Sequence, residues 1–197
     1  MDAFEQVVTS FLEREGFWVR SSFKVPLTAQ DKARIGRKSS PRWEIDLLGY
    51  RARRNELHVV ECKSYLDSRG VGVRAFDGTD KQFAERFKLF TDRTVREVVL
   101  HRMVAQLVAQ GTCRPRPRVT LCLAAGHVAS VRDRDALHAH FKRHGWVLWD
   151  EGWMVEQLRL LARGGYENDT TAVVAKLLIR GADRLNVGRG SRRSPVL

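Results

Sequence analysis

The sequence predicts an α/β domain in which helices flank a mixed β-sheet, and three observations support this class. A length of 197 residues suits one domain, or one domain with a small extension. Apolar residues make up 43% of the chain and charged residues 29%, which is enough to bury a core. Segments with helical periodicity also alternate with short, apolar, β-rich runs, an order typical of helices layered on a sheet.

The N-terminal segment predicts a helix followed by a strand. Apolar side chains in residues 4–15 recur at i, i+3, i+4, i+7 and i+8, the spacing of an amphipathic helix, and Gly16 would end it. Residues 17–25 are aromatic and β-branched, and they predict a strand that ends near Pro26. Residues 27–42 are polar and basic and predict a mobile loop, which either clasps a phosphate backbone or is simply solvated.

The middle of the chain predicts a β-hairpin and a buried strand. Residues 43–51 and 57–65 are β-rich runs joined by a polar stretch that suits a tight turn. Helical periodicity follows over residues 80–110, as one long helix or two shorter ones. Residues 119–125 form a continuous apolar run, which is typical of a strand buried on both faces.

The C-terminal part predicts a helix, a strand and two more helices, over residues 133–144, 146–149, 152–163 and 170–180. We therefore expect one domain over residues 1–180, with a core at 1–150 and a helical extension at 151–180. Residues 181–197 are basic and contain glycine and serine, so they predict a disordered tail.

The charge of the chain points to a polyanionic partner. Thirty-five lysines and arginines against 23 acids give a net charge of +12. Such a surface attracts nucleic acid, because phosphates that meet lysine and arginine release condensed counterions. The alternative is a basic protein that has no polyanionic partner. The candidate phosphate contacts are Lys32, Arg34, Arg37, Lys38, Arg42, Arg51, Arg53 and Arg54.

Cysteine usage and hydropathy bear on the compartment. The three cysteines are odd in number and lack metal-ligand spacing, so we expect neither a disulfide framework nor a zinc site. No basic and apolar leader and no run of about 18 apolar residues is apparent. We therefore expect a cytoplasmic protein that does not enter a membrane.

The predicted hairpin gathers charged side chains at one end. If its turn is centred between residues 53 and 54, Asp46 lies opposite Glu61 and Glu44 lies opposite Lys63. Directly opposed Cβ atoms are about 4.5–5.5 Å apart, and alternation places these side chains on one face. On the same face we expect Leu48 and Val59, and on the other face Ile45, Leu47, Val60 and Cys62.

A cluster of this kind predicts a divalent metal site. Buried like charges are costly unless something neutralises them, and hard oxygen ligands select Mg²⁺ or Mn²⁺. The alternative is a strand end at which the same residues form solvated ion pairs. A slip of the register by one residue would place the carboxylates on opposite faces and remove the site.

The hairpin resembles the signature of a nuclease superfamily. The sequences EID at residues 44–46 and VVECK at residues 59–63 are similar to the PD-(D/E)xK motif of restriction-endonuclease-like enzymes. Within that superfamily the chain is most similar to archaeal Holliday-junction resolvases and Mrr-type nucleases. The resemblance covers residues 4–65 and, more loosely, the strand at 119–125. Ile45 stands where the name-giving proline would be.

The resemblance implies a restriction-endonuclease-like core and a Mg²⁺-dependent endonuclease acting on DNA, with Mn²⁺ as a substitute. Repair, recombination, restriction and mobile-element defence are the implied settings. By the same resemblance Asp46, Glu61 and the main-chain carbonyl of Cys62 would hold the metal, and Lys63 would orient the attacking water. Glu5 on the first helix would ligate the metal directly or through water.

Several alternatives stay open. Glu5 could instead only complement the helix dipole, and Glu44 is a further candidate ligand. The chain could be a nucleic-acid-binding or assembly protein without catalysis, or an RNase with a different substrate groove. No recognition helix is apparent, so we expect targeting by substrate structure or by a partner protein. A homodimer would suit paired cuts, with residues 152–180 as its candidate interface.

Overall fold

A five-stranded mixed sheet organises the first of two compact units, Met1–Glu151 and Gly152–Leu197. The structure, a computed structural model, describes residues 2–36 and 42–190, with side chains described as far as residue 182. The strands, in their order across the sheet, are β1 (Trp18–Pro26), β2 (Arg42–Arg51), β3 (Glu56–Lys63), β4 (Arg118–Ala125) and β5 (Val147–Trp149). β1, β2 and β3 are antiparallel, whereas β3, β4 and β5 are parallel. The predicted α/β class with a mixed sheet is therefore confirmed.

Helices precede, connect and follow these strands. The helices are α1 (Ala3–Arg14), α2 (Ala29–Arg34), α3 (Lys81–Ala84), α4 (Lys88–Thr91), α5 (Arg93–Ala109), α6 (Val131–His144), α7 (Glu151–Arg163) and α8 (Thr170–Gly190). The predicted periodicity at 80–110 thus corresponds to one long helix, α5, preceded by short helical turns. No helix in the described part of the chain is long and apolar enough to cross a bilayer.

α1 begins with a capping box. The Asp2 carboxylate accepts the Glu5 N–H, with 2.8 Å between Oδ1 and N, and the Glu5 carboxylate accepts the Asp2 N–H. Such reciprocal bonds satisfy two of the N–H groups that a helix start leaves without a partner. The helix buries Val8, Phe11 and Leu12, as the apolar spacing predicts. The capping box also fixes Glu5 in the first turn of α1.

The prediction of a mobile loop over residues 27–42 was wrong for its first half, where α2 forms. Thr28 caps this helix in a capping box with Asp31, whose carboxylate also pairs with Arg102 on α5 at 2.6 Å. The T-x-x-D pattern formed by Thr28 and Asp31 is typical of a helix start, but the basic charges around it suggested a loop. Arg37 and Lys38 lie outside the described residues.

The predicted hairpin register is confirmed between the turn and the pair of Leu47 with Val60, but the predicted pairs of Asp46 with Glu61 and of Glu44 with Lys63 are not part of the ladder. Paired residues from Leu47 and Val60 to Arg51 and Glu56 have numbers that sum to 107. Asn55 closes the turn in the left-handed region, at φ +50°, and its side chain accepts the Tyr50 hydroxyl. β4 is buried over its second half, as predicted for a central strand.

The second unit contains α7 from Gly152 onward and α8, which are joined by a non-helical segment at residues 164–169. The helix predicted at 170–180 continues to Gly190, so the prediction of a disordered tail from residue 181 was wrong for residues 181–190. Residues 191–197 lie outside the described residues. The backbone of residues 181–190 continues the helical hydrogen bonding of the preceding turns. The glycine and arginine content of this segment had suggested the opposite.

Candidate active site

β2 and β3 stop pairing where the charged residues begin. The ladder ends at Leu47 and Val60, although Asp46 and Glu61 would be next in the same register. Instead, the Asp46 carboxylate accepts the Cys62 N–H, with 2.8 Å between Oδ2 and N. A side chain thus replaces main-chain pairing between the two strands, and the sheet opens at this point.

The strand on the other side of β2 is distorted at the same level. The ladder between β1 and β2 omits the pair of Ser22 with Asp46, while the pairs on either side are present. Ser22 has a φ of +49°, in the left-handed region that non-glycine residues rarely adopt. Asp46 is therefore flanked by unpaired backbone on both sides.

This distortion changes which face Ile45 joins. Ile45 packs in the same core cluster as Leu48 and Val59, whereas Leu47 and Val60 are buried outside that cluster. The prediction that Ile45 lies on the face opposite Leu48 was therefore wrong. Strict alternation holds only where both ladders of a strand are regular, and here both are interrupted.

Lys63 lies between the two carboxylates that the register brings together. Its Nζ is 2.5 Å from Glu61 Oε1 and 4.0 Å from Asp46 Oδ2. The three side chains are largely buried, with exposed fractions of 21% for Lys63, 25% for Asp46 and 17% for Glu61. The structure thus gathers the three residues that the sequence pattern singled out.

The ionisation of this cluster is perturbed by burial and by mutual repulsion. Burial raises the pKa of Asp46, and the Cys62 N–H and the Lys63 ammonium oppose that rise. Burial likewise raises the pKa of Glu61, with Lys63 opposing and Asp46 adding to the effect. Burial lowers the pKa of Lys63, but the carboxylates of Glu61 and Asp46 together outweigh it, so the pKa of Lys63 is raised overall. The ammonium therefore stays protonated at neutral pH.

Glu5 belongs to the same electrostatic cluster although it lies on α1. Burial raises the pKa of Glu5, and the charges of Asp46 and Asp2 raise it further. Glu44 also acts on the cluster: its charge adds to the raised pKa of Asp46, and it lines a cleft with Asp46 and Glu61, while its backbone is paired with Lys24 of β1. Glu5 and Glu44 therefore both interact electrostatically with Asp46.

The donor chemistry fits a hard divalent cation. Glu5, Asp46 and Glu61 supply carboxylate oxygens, and their charges exceed the single charge of Lys63. The N–H and the carbonyl of a strand residue point to the same edge, so the Cys62 carbonyl faces the side of Asp46. Within the described residues, however, no three acidic, histidine or cysteine side chains converge on one point, and Lys63 contacts a Glu61 oxygen.

A cleft of about 210 Å³ opens beside this cluster. It is lined by Arg42, Trp43, Glu44, Asp46, Glu61, Glu85, Arg86 and Lys88. Arg86 and Lys88 were missed by sequence reasoning, because the segment ERFK has the mixed charge of an ordinary solvated helix face. Only the tertiary fold brings these two cations to the carboxylates.

The other predicted phosphate contacts lie elsewhere. Arg51 is paired with buried Glu56 at 2.5 Å and lies over the Phe17 ring. It is five residues from Asp46 along β2, which corresponds to about 17 Å. Arg53 and Arg54 lie beyond it, in the turn of the hairpin. Lys32 and Arg34 lie on α2, where Arg34 pairs with Glu97 at 3.6 Å.

The thiol of Cys62 takes no part in the cluster. Burial raises the pKa of this thiol well above its ordinary value. The described cysteines are all buried and free, as expected for a chain without a disulfide framework. Only the main chain of Cys62 therefore serves the site.

Comparisons with protein-family models, with curated proteins and with solved structures find no significant match to this chain.

Replacing Glu5 by glutamine should stabilise the metal-free protein by about 0.5–1 kcal/mol at pH 8 and weaken its affinity for Mg²⁺. The pKa of Glu5 is raised in the folded state, so its contribution to stability is present at low pH and is lost as the pH rises through the folded pKa. Glutamine is neutral and still accepts the Asp2 N–H. Thermal unfolding of the wild type and the variant at pH 5 and pH 8, with EDTA or Mg²⁺, measures this change in stability.

The matched control is Glu13→Gln, on the exposed surface of the same helix. We expect its melting temperature to change little at either pH. Equal shifts in the two variants, or a gain for Glu5→Gln that is undiminished by Mg²⁺, would contradict the placement of Glu5 in the cluster.

Proposed function

We propose that this chain is a metal-dependent nuclease that hydrolyses phosphodiester bonds in DNA. The observation that carries the proposal is the meeting of Asp46, Glu61 and Lys63 where β2 and β3 separate. Arg86 and Lys88 line the adjoining cleft, and the chain carries a net charge of +12. Together these features offer acidic oxygens for a metal and cations for a phosphate backbone.

Asp46, Glu61 and the Cys62 carbonyl would hold Mg²⁺, which Mn²⁺ can replace, and Glu5 would bind it directly or through water. When bound, the ion polarises the scissile phosphate and lowers the pKa of the attacking water. The Cys62 N–H fixes the orientation of the Asp46 carboxylate. Lys63 then has to leave Glu61 in part, because it contacts one of the oxygens that the metal would use.

Lys63 acts in this proposal as a charge and as a hydrogen-bond donor. The carboxylates of Glu61 and Asp46 raise the pKa of Lys63 against the effect of burial, and we assign it the role of a charged donor rather than that of the base that accepts the proton of water. Its ammonium orients the attacking water, favours the hydroxide form and stabilises the negative charge that develops on the phosphoryl oxygens. This role requires it to stay beside Asp46, where it lies at 4.0 Å.

The proposal extends to the biological setting implied by the resemblance. It includes a restriction-endonuclease-like core, a cytoplasmic location, and a role in repair, recombination, restriction or mobile-element defence. The described elements offer no recognition helix of their own, so we propose targeting by DNA structure, by a homodimer, or by a partner protein.

One observation favours a second candidate, a nucleic-acid-binding protein without catalysis. The contact of Lys63 with Glu61 at 2.5 Å occupies a ligand oxygen, and no three-ligand group is formed within the described residues. In that case the cluster would be a closed ion pair at a strand end. Its charges would then tune binding to a polyanion and no hydrolysis would occur.

A substrate panel separates these candidates. Labelled linear duplex, supercoiled duplex, single-stranded DNA, a four-way junction and RNA are incubated with the protein in EDTA, Mg²⁺ or Mn²⁺. The nuclease proposal predicts cleavage of at least one DNA with a metal and none in EDTA. Salt-sensitive binding without cleavage in any metal would favour the second candidate, and cleavage of RNA alone would identify an RNase.

A further inference from the structure

Arg86 is an exposed cation of the cleft whose contacts within the described residues are with neutral groups. Its Nη1 donates to the Tyr65 hydroxyl at 3.4 Å, and its Cζ lies 5.4 Å from the centroid of the Phe83 ring. Within the described residues no acid pairs with it, whereas Lys88 in the same cleft is 2.7 Å from Glu85. The guanidinium is thus oriented by neutral groups, and its charge stays available to a ligand.

Tyr65 is held in place by an unusual backbone turn directly after β3. Its φ of +46° lies in the left-handed region, which is costly for a bulky side chain and needs support from the surroundings. The N–H and the hydroxyl of Ser68 supply that support, since each donates to the Tyr65 carbonyl at 3.2 Å. The turn carries the Tyr65 ring to Phe83, with 6.3 Å between the centroids.

Phe83 is fixed independently of this turn. Asp80 caps α3 by accepting the Phe83 N–H at 2.9 Å, and the Phe83 ring packs on Phe87, which is buried in the core. Phe83 lies three residues before Arg86 on the same run of helical turns, whereas Tyr65 reaches Arg86 from a separate segment of the chain. A local contact and a long-range contact thus orient the same guanidinium, and this is the reason to assign it a function.

We propose that Arg86, held by Tyr65 and Phe83, forms a phosphate-binding subsite that takes the non-bridging oxygens of a substrate phosphodiester next to the scissile one. A guanidinium offers a planar fork of N–H donors that matches a phosphate, and pre-orientation reduces the entropy lost on binding. The subsite rests on the proposed nuclease function, because it shares its cleft with Asp46 and Glu61. Arg86 touches the substrate in this assignment, and Tyr65 is a positioning residue.

The first test measures binding, so that it does not depend on catalysis. The affinity of a short fluorescent duplex DNA is measured in EDTA over a series of salt concentrations. For Arg86→Ala we expect at least about 10-fold weaker binding and a salt slope smaller by about one. For Arg86→Lys, which keeps the charge but not the fork, we expect an intermediate loss.

Arg93→Ala is the charge-matched control, since Arg93 is an exposed residue of α5 that pairs with Glu97 and does not line the cleft. It should bind DNA within about 2-fold of the wild type. If Arg86→Ala and Arg93→Ala lose the same affinity, the subsite is overturned, because only overall charge would then matter.

The second test isolates the Tyr65 hydroxyl. Tyr65→Phe keeps the ring on Phe83 and removes the hydrogen bond to Arg86. We expect about 2- to 5-fold weaker DNA binding in the wild type and no change in an Arg86→Ala background. An equal loss in both backgrounds would overturn the positioning role.

Cleavage assays then separate this inference from the nuclease proposal. With Mg²⁺, Arg86→Ala should raise KM about 10-fold or more and change kcat less than 3-fold. If the wild type cleaves no substrate but the variants lose DNA binding as predicted, the nuclease proposal is refuted and the phosphate-binding subsite is retained. A wild type that cleaves, with KM unchanged in Arg86→Ala, would refute the subsite alone.

Discussion

Replacing Lys63 by methionine is expected to lower the rate of DNA cleavage at saturating Mg²⁺ by at least about 100-fold. Methionine has a similar length and packs in partly buried surroundings, so the fold should be kept. The change removes the ammonium 2.5 Å from Glu61 and 4.0 Å from Asp46. Without it, nothing on β3 compensates the charge that develops on the phosphoryl group. Single-turnover cleavage of a labelled DNA measures the effect.

The same change should not weaken metal binding. Removing Lys63 frees the Glu61 oxygen that it contacts and leaves the carboxylates with less compensation, so the affinity for Mg²⁺ should be equal or higher. Lys142→Met, at an exposed position of α6, is the charge-matched control and should cleave at the wild-type rate. A loss of less than about 10-fold in Lys63→Met, or an equal loss in both variants, would contradict the role of the ammonium.

Replacing Gly126 by alanine should damage stability and activity together. Gly126 follows β4, and its N–H donates to the Lys63 carbonyl at 2.9 Å. A Cβ at this position would lie 2.4 Å from the Ser64 carbonyl oxygen and 3.1 Å from Cε2 of Phe4. The first is a backbone atom, so it cannot yield by a rotamer change. We expect the free energy of unfolding to fall by about 2 kcal/mol.

Activity should fall at least about 10-fold in Gly126→Ala, since a misplacement of about 1 Å at a site can cost that much or more. The clashing atoms belong to Ser64, which follows Lys63, and to Phe4, which precedes Glu5. Gly165→Ala is the control, because a Cβ there meets nothing within 4 Å. Urea unfolding and cleavage rates are compared for both variants. Identical midpoints and rates would show that the backbone at Gly126 is not close-packed against the site.

The position of the site was predictable because the hairpin determines it. The apolar runs and the short turn allow one register in which both strands bury their apolar faces, and that register ends at Leu47 and Val60, so that Asp46 and Glu61 come next on the two strands. Side chains alternate between the two faces of β3, so Lys63 is expected on the same face as Glu61, two residues earlier. The gathering of these three residues therefore needs no information from distant parts of the chain.

The geometry of the site was less predictable, since it depends on contacts between distant segments. The backbone of Asp46 could continue the ladder, or its carboxylate could accept the Cys62 N–H, and the outcome depends on both neighbouring strands. Ser22 adopts a left-handed conformation that the local sequence does not predict. Arg86 reaches the cleft through α3 and Tyr65, which are brought together by packing on the core. Sequence patterns predict helices, strands and caps from local periodicity, but they do not predict contacts between segments that are distant in the chain.

The most direct test of the central claim compares the wild type with Asp46→Asn, purified in parallel. Asparagine keeps an oxygen that accepts the Cys62 N–H and loses the charge that would bind a metal. We predict Mg²⁺-dependent cleavage of duplex or branched DNA by the wild type and at least about 100-fold slower cleavage by Asp46→Asn, with DNA binding in EDTA retained. Equal cleavage by the two proteins, or no cleavage by the wild type with Mg²⁺ or Mn²⁺, would contradict the account.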